Sequence, residues 1–275
     1  MLNILFKYFI IFLDSFKKNY IGFPIDNLIK IIKVMRIKKL IYEEDMMNFK
    51  HYVITKFNIR ARFSCKLRDS NYNPMLQILN HEYLEKRFEI FQNFTFNSMR
   101  KQTNQNFTWI ILFHKRTPKK FLEKINELKK KYYFEDLYFD DDEKFDFTNY
   151  CAKNNDGFDF YISTRLDNDD CIEKDFIKSI QDYAEDNLHN CFISFVHGLK
   201  IDLNENKRYD YFRKSNQFIS LIYSNYEMSV LDVVHSKIDD SGIEIISFKT
   251  DNPMWAEVCH DTNVFNEINK ELINK

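Results

Sequence analysis

From about residue 50 the chain alternates short apolar runs with amphipathic stretches of helical period, and this alternation restricts it to α/β architectures. His51–Phe57 (HYVITKF) is a β-branched and aromatic run that predicts a strand. Trp109–Phe113 (WIILF) is apolar without interruption, as expected of a strand covered on both faces. Tyr133–Phe139, Phe158–Thr164, Cys191–Val196 and Ile243–Phe248 read as further strands. Between them, Pro74 to Gln102 reads as helical in two pieces. Thr117-Pro118 predicts a capped helix start followed by Phe121, Leu122, Ile125 and Leu128 on one face. A last helix is expected from about Glu173, with Phe176, Ile177, Ile180 and Tyr183 on its apolar side. The expected fold is therefore α/β: a Rossmann-like, mainly parallel sheet flanked by helices, preceded by an N-terminal helical extension. In such sheets ligands bind beyond the carboxyl ends of the strands.

Composition narrows the class. Hydrophobic residues make up 44% and aromatics 17% of the 275 residues, enough for a sizeable core and too much for a disordered chain. Only 4 Gly and 4 Pro argue against many-turned all-β and collagen-like folds. A formal net charge of −1 gives no overall drive toward nucleic acid, and no such partner is expected. The cysteines (Cys65, Cys151, Cys171, Cys191 and Cys259) are odd in number and show no C-x-x-C spacing. Reduced thiols in a cytoplasmic protein are the expectation.

Residues 1–45 differ from the rest and form the expected first unit, with 46–275 as the second. Asn3, Lys7, Asp14 and Lys18 fall close together on a helical wheel otherwise occupied by Leu, Ile, Phe and Tyr. Ile25 to Ile41 repeats the pattern more basically. Such helices suit either an anionic membrane surface, met through residues 1–41 as a peripheral contact on the inner face, or packing on the main domain. The apolar run Tyr8–Leu13 is too short to span a bilayer and lacks signal-peptide flanks.

Two D-x-D pairs occur, Asp140/Asp142 and Asp167/Asp169, about as many as chance places in a chain this rich in Asp. Context separates them. Asp140–Glu143 leads into a charged stretch, Lys144 to Asp156, with no clear periodicity, and reads as a solvated loop. Arg165-Leu166-Asp167-Asn168-Asp169-Asp170 instead lies between an apolar strand and an amphipathic helix, where catalytic loops sit. Carboxylates two apart on an extended backbone share a face and suit Mg²⁺ or Mn²⁺, although Asp170 there can equally serve as a helix cap. No G-x-S-x-G, Walker-type or G-x-G-x-x-G string occurs, against hydrolase, P-loop and dinucleotide-oxidoreductase classes.

Five stretches in order carry a resemblance: Thr55–Ile59, Asn97–Thr103, Phe107–Leu112, Ser163–Asp170 (STRLDNDD) and Trp255–Asn263 (WAEVCHDTN). Together, over roughly residues 50–265, they resemble a family described as rhamnosyltransferases, similar to the A-type glycosyltransferases of the large family-2 group. One departure from the family pattern is that Asp261, not glycine, follows His260. The resemblance implies a metal-dependent glycosyltransferase that moves a sugar from a nucleotide-sugar donor to a glycan or lipid-linked acceptor, with inversion. It implies Asp167, Asp169 and His260 around Mn²⁺ or Mg²⁺. Thr55, Phe57, Asn58, Arg165, Asp167 and Asn168 would then face the donor. For the catalytic base the candidates are Glu257, Asp251 and Asp232, with Glu257 preferred for its nearness to His260 in sequence. Apart from the resemblance, His197-Gly198 follows a predicted strand and reads either as an acceptor-side loop or as an ordinary turn. Two other classes fit the same acidic cluster: a Mg²⁺-dependent nucleotidyl- or phosphotransferase, and a catalytically inactive glycan-binding module.

Overall fold

A computed structural model describes residues 48–59, 78–154, 157–234 and 237–261. The chain divides into two units, Met1–Met46 and Met47–Lys275. The first lies outside the described residues, and with it both amphipathic stretches.

The second unit is built on a seven-stranded sheet in the order β10-β6-β9-β4-β1-β2-β3. Its strands are β1 (Phe49–Lys56), β2 (Thr108–His114), β3 (Glu135–Phe139), β4 (Phe160–Arg165), β6 (Cys191–Phe195), β9 (Ser220–Ser224) and β10 (Glu244–Phe248). Only β9 runs antiparallel to its neighbours, so the sheet is mainly parallel as the alternation predicted. Period-two alternation divides the strand residues between two cores. Val53, Trp109, Ile111 and Ile162 pack toward one face, and Tyr52, Ile54, Ile110, Leu112 and Tyr161 toward the other.

The first face is covered by α1 (His81–Phe91), α2 (Asn97–Arg100), α3 (Lys119–Lys131) and α5 (Phe176–Asp186). The Asn80 side chain caps α1 by accepting from Tyr83 N at 3.0 Å. A π-helical turn, Gln92–Phe96, joins α1 to α2 without a break. The second face carries α4 (Phe147–Lys153), which Asp146 caps through Asn149 N. This helix occupies the stretch read as aperiodic, because about two turns with Phe147 and Cys151 inward leave too little repeat to detect. Thr117 is not the predicted cap either. Its hydroxyl donates back to His114 O at 2.6 Å, and α3 starts after Pro118.

A second, four-stranded sheet, unforeseen from sequence, has the order β5-β11-β7-β8, with β5 (Cys171–Ile172), β7 (His197–Asp202), β8 (Lys207–Phe212) and β11 (Trp255–Cys259). His197 and Gly198 therefore begin a strand and not the loop expected there. Gly198 is required by close approach: a Cβ there would lie 2.2 Å from the Trp255 ring. That ring cannot slide away, since its indole N–H donates to Phe195 O at 2.7 Å and the ring stacks on Phe218. Gly198→Ala is expected to cost more than about 2 kcal/mol by overpacking, measurable as a lowered urea midpoint.

Strand order sets where a ligand can bind. The chain runs β1, β2, β3 outward on one side and then returns to place β4 on the other side of β1, so the β1/β4 boundary is the topological switch point. Beneath it lies a buried polar relay. Gln181 donates to His51 Nδ1 at 3.2 Å, His51 Nε2 meets Thr164 Oγ1 at 2.8 Å, and Thr164 meets Ser220 Oγ at 2.6 Å. Burial holds His51 neutral, its pKa lowered to about 3. The unfolded chain takes up that proton below about 6.5, so stability falls as pH drops from there toward 3, by on the order of 2 kcal/mol per 1.5 pH units. His51→Asn should flatten that part of the stability–pH curve, as read by denaturant melts at pH 7, 6 and 5.

Candidate active site

The turn that follows β4 sits at the switch point and is held from three directions. From β1, Ile54 O accepts from Leu166 N at 3.2 Å, while Lys56 O and Phe57 O both accept from the Asn168 amide. From the π-helical turn, the Thr95 hydroxyl donates to Asp170 O at 2.7 Å. From the second sheet, Val258 N donates to Asp170 Oδ1 at 2.9 Å. A π-turn presents Thr95 here because its wider winding shifts side-chain direction relative to α1.

The four polar residues of the turn have different surroundings. Asp167 is partly exposed and takes a bidentate grip from Arg165, Nε to Oδ1 at 3.0 Å and Nη2 to Oδ2 at 2.9 Å. Asn168 is buried and accepts from Arg87 Nη1 at 3.1 Å. Asp169 is buried; its Oδ2 accepts from Arg87 Nη1 at 2.6 Å and from His260 Nε2 at 3.1 Å. Asp170 is turned inward and does not cap α5, contrary to one sequence reading, because its carboxyl is used by Val258.

Two adjacent carboxyls thus share a buried site in opposite electrostatic states. Burial works to raise Asp169, but the His260 hydrogen bond and the Arg87 charge outweigh it and hold the group below the usual carboxylate range. Burial, reinforced by Asp169 and Asp167, pushes Asp170 well above that range.

Arg87 is the residue the sequence reading missed. It lies on α1 in the stripe Leu84, Arg87, Phe88, Phe91, all buried. Its Nη2 donates to Tyr83 OH at 3.1 Å and its guanidinium lies over the Tyr83 ring at 5.3 Å. A basic residue on an otherwise apolar inward face is the signal that could have marked it.

Several expected donor contacts are not brought to the site. Thr55 is buried and its hydroxyl accepts from Trp109 Nε1 at 3.0 Å. The Phe57 ring packs in the core against Phe88, Phe91 and Phe113. The Asn58 side chain bridges His114 N, Thr117 and Ile78 O. All three shape the end of β1, but their side chains are taken up by buried packing and hydrogen bonds. Arg165, expected at a phosphate, grips Asp167. Asp140 and Asp141 are exposed, as expected of a solvated loop, and pair with Lys115 and with His114 and Arg116. This tethers the turn after β3 to that after β2.

Of the base candidates, Glu257 is buried on β11 beside Val258, with Lys200 Nζ at 3.4 Å in a buried pair. Asp251 is exposed on the β10–β11 loop, whose Thr250 carbonyl meets His197 rather than the acidic turn. Asp232 caps its own turn through Ser229.

Among the described residues no three His, Cys, Asp or Glu side chains converge on a common ion position. The pair that could hold a divalent cation is Asp169 with His260; the carboxylate oxygen suits Mn²⁺ or Mg²⁺, and the imidazole nitrogen favours Mn²⁺ of the two. The Arg87 guanidinium already places positive charge against that oxygen.

Fold and site together describe a mainly parallel α/β sheet with an acidic turn at its switch point. Residues 50–271 match the family described as "putative rhamnosyl transferase", and the chain belongs to that family. Among curated proteins none matches. Of solved structures, TarS residues 1–349 from S. aureus, in complex with UDP-GlcNAc, is similar at 12% identity over 79% of this chain, with TM-score 0.42. The chain spans 60% of the length of that fragment. Rv0371c from Mycobacterium tuberculosis H37Rv, in complex with manganese, is similar at 8% identity over 83% of this chain and 99% of its own, with TM-score 0.38.

Asp170→Asn retains an acceptor for Val258 N and removes the ionisation that burial opposes. In wild type the unfolded chain loses this proton above about pH 4 while the folded chain keeps it, so stability falls as pH rises. The stability of Asp170→Asn relative to wild type should therefore grow from pH 4 to pH 7 in EDTA, whereas Asp170→Ala should lose about 1–3 kcal/mol at both.

Proposed function

We propose that the protein is a metal-dependent, inverting glycosyltransferase that uses a nucleotide-sugar donor, with Mn²⁺ or Mg²⁺ held by Asp169 and His260. The observation that carries this reading is the 3.1 Å contact between those two side chains, 91 residues apart, at the switch point of the sheet. A buried carboxylate and imidazole meeting where α/β sheets bind ligands is a site-forming arrangement, whereas a lone D-x-D is not.

In this reading a bound cation supplies positive charge against the departing diphosphate. Asp169 and His260 hold it, and Asn168 keeps the turn docked on β1. Arg165 and Asp167 form a partly exposed pair at the mouth of the site, where a phosphate can take over the guanidinium fork. Glu257, on the strand tied to Asp170, takes the acceptor hydroxyl proton. The acceptor oxygen forms the bond to the anomeric carbon as the bond to the diphosphate breaks on the opposite face, through an oxocarbenium-like transition state. Rhamnose as the transferred sugar follows from the family description, and a glycan or lipid-linked saccharide is the acceptor class. No helix among the described residues is long and apolar enough to cross a membrane. Residues 1–41 supply the peripheral contact in this proposal, with the catalytic unit in the cytoplasm.

The test is nucleoside-diphosphate release from a panel of nucleotide sugars, with Mn²⁺, Mg²⁺ or EDTA. One donor should turn over, EDTA should abolish release, and Asp169→Asn should lower it at least about 100-fold. Release of pyrophosphate in its place would identify a nucleotidyltransferase. Saccharide binding with no turnover, unaffected by Asp169→Asn, would identify a glycan-binding module.

A further inference from the structure

Arg87 presents a physical problem for the site just described. Its guanidinium is buried, with 8% of the side chain exposed, and lies 2.6 Å from the carboxylate oxygen that also meets His260. A unit positive charge hydrogen-bonded to that oxygen repels a divalent cation and takes one of its acceptor sites, so guanidinium and cation compete for it. The guanidinium cannot simply withdraw, because a buried charge stripped of its counter-ion is strongly unfavourable. It needs another anion. Among the described residues its buried Nε has no hydrogen-bond partner, so the fork still has a donor to give. Planar guanidinium forks recognise phosphate oxygens bidentately.

Resting on the glycosyltransferase reading, we propose that Arg87 is an internal cation which occupies Asp169 until a nucleoside diphosphate takes the guanidinium, so that metal and nucleotide bind together and not singly. Arg87 is then a positioning residue whose two partners, carboxylate and diphosphate, exchange. Tyr83 and Asn168 brace it from either side, through its Nη2 and Nη1 respectively, and keep the exchange short-range. By linkage, metal must tighten nucleotide binding by the same factor that nucleotide tightens metal binding. The arrangement keeps the site from loading with metal alone.

The experiment measures free Mn²⁺ by its electron paramagnetic resonance signal during titration of the full chain, alone and with UDP, dTDP or GDP. Wild type, Arg87→Met, Arg87→Lys and Tyr83→Phe are compared, with folding checked by thermal melts. Wild type should bind Mn²⁺ weakly alone and at least tenfold more tightly with one of the nucleotides. Arg87→Met should bind Mn²⁺ alone at least tenfold more tightly than wild type, with less coupling to nucleotide. Arg87→Lys, which keeps the charge, should retain the weak unassisted binding. A merely structural arginine predicts loss of metal affinity on substitution, the opposite sign. Should Arg87→Met fail to fold, Tyr83→Phe carries the test: loosening the brace should tighten unassisted Mn²⁺ binding and shrink the coupling, and unchanged values would overturn the proposal. Equal unassisted affinity in wild type and folded Arg87→Met overturns it while leaving the glycosyltransferase reading intact. Wild type that binds neither Mn²⁺ nor any nucleotide overturns both.

Discussion

A carboxylate buried in a protein requires a counter-charge or a proton, and the turn after β4 uses both solutions on consecutive residues. Asp169 is held ionised between Arg87 and His260. Asp170 lies next to it, is pushed toward its neutral form, and accepts from the backbone of β11. The arrangement needs α1, β1, β4 and β11 to arrive at one place. Breaking any one would leave a buried charge or a buried N–H without its partner, and both are expensive. The turn is thus a structural junction as well as the candidate site.

This dual role places the candidate site on rigid elements and not on a long loop. The turn between Arg165 and Cys171 has its backbone bonded to β1 and to Thr95, and its side chains bonded to α1 and β11. Preorganisation of that kind suits a site that must stabilise developing charge without rearrangement. Arg87 is the element of the junction able to exchange partners, since its alternatives are anions of similar geometry. The second sheet contributes His260 and Glu257 through one strand end, and the Gly198–Trp255 contact fixes that strand's packing.

Much of this was legible in the residues. Unbroken apolar runs such as Trp109–Phe113 marked strands covered on both faces, and the helical stripes at Phe121–Leu128 and Phe176–Ile180 supplied the covering layers. The acidic turn was found by position, between an apolar strand and an amphipathic helix. Several things escaped, among them β9 and all four strands of the second sheet. Residues Phe147–Lys153 form too short a helix to show a period. The strand Lys207–Phe212 is charged and largely exposed, so no apolar alternation announced it. Arg87 was passed over although it lies in the apolar stripe Leu84, Phe88, Phe91, because the other Lys, Arg and Glu of the same helix mask a single inward charge.

The sequence by itself determined the class of fold, through the periodicity of its apolar residues, and located the acidic turn within it. Those are short-range properties, readable wherever strand and helix periods differ. Only the tertiary structure decided which carboxyl meets which partner. Thr55, Phe57 and Asn58 sit at the end of β1, yet Thr55 and Asn58 engage their side chains in buried hydrogen bonds and Phe57 packs in the core. Arg87 and His260 lie 82 and 91 residues from Asp169 and converge on one of its oxygens. Long-range charge pairing depends on strand order and helix rotation about the sheet, quantities that local spacing does not contain.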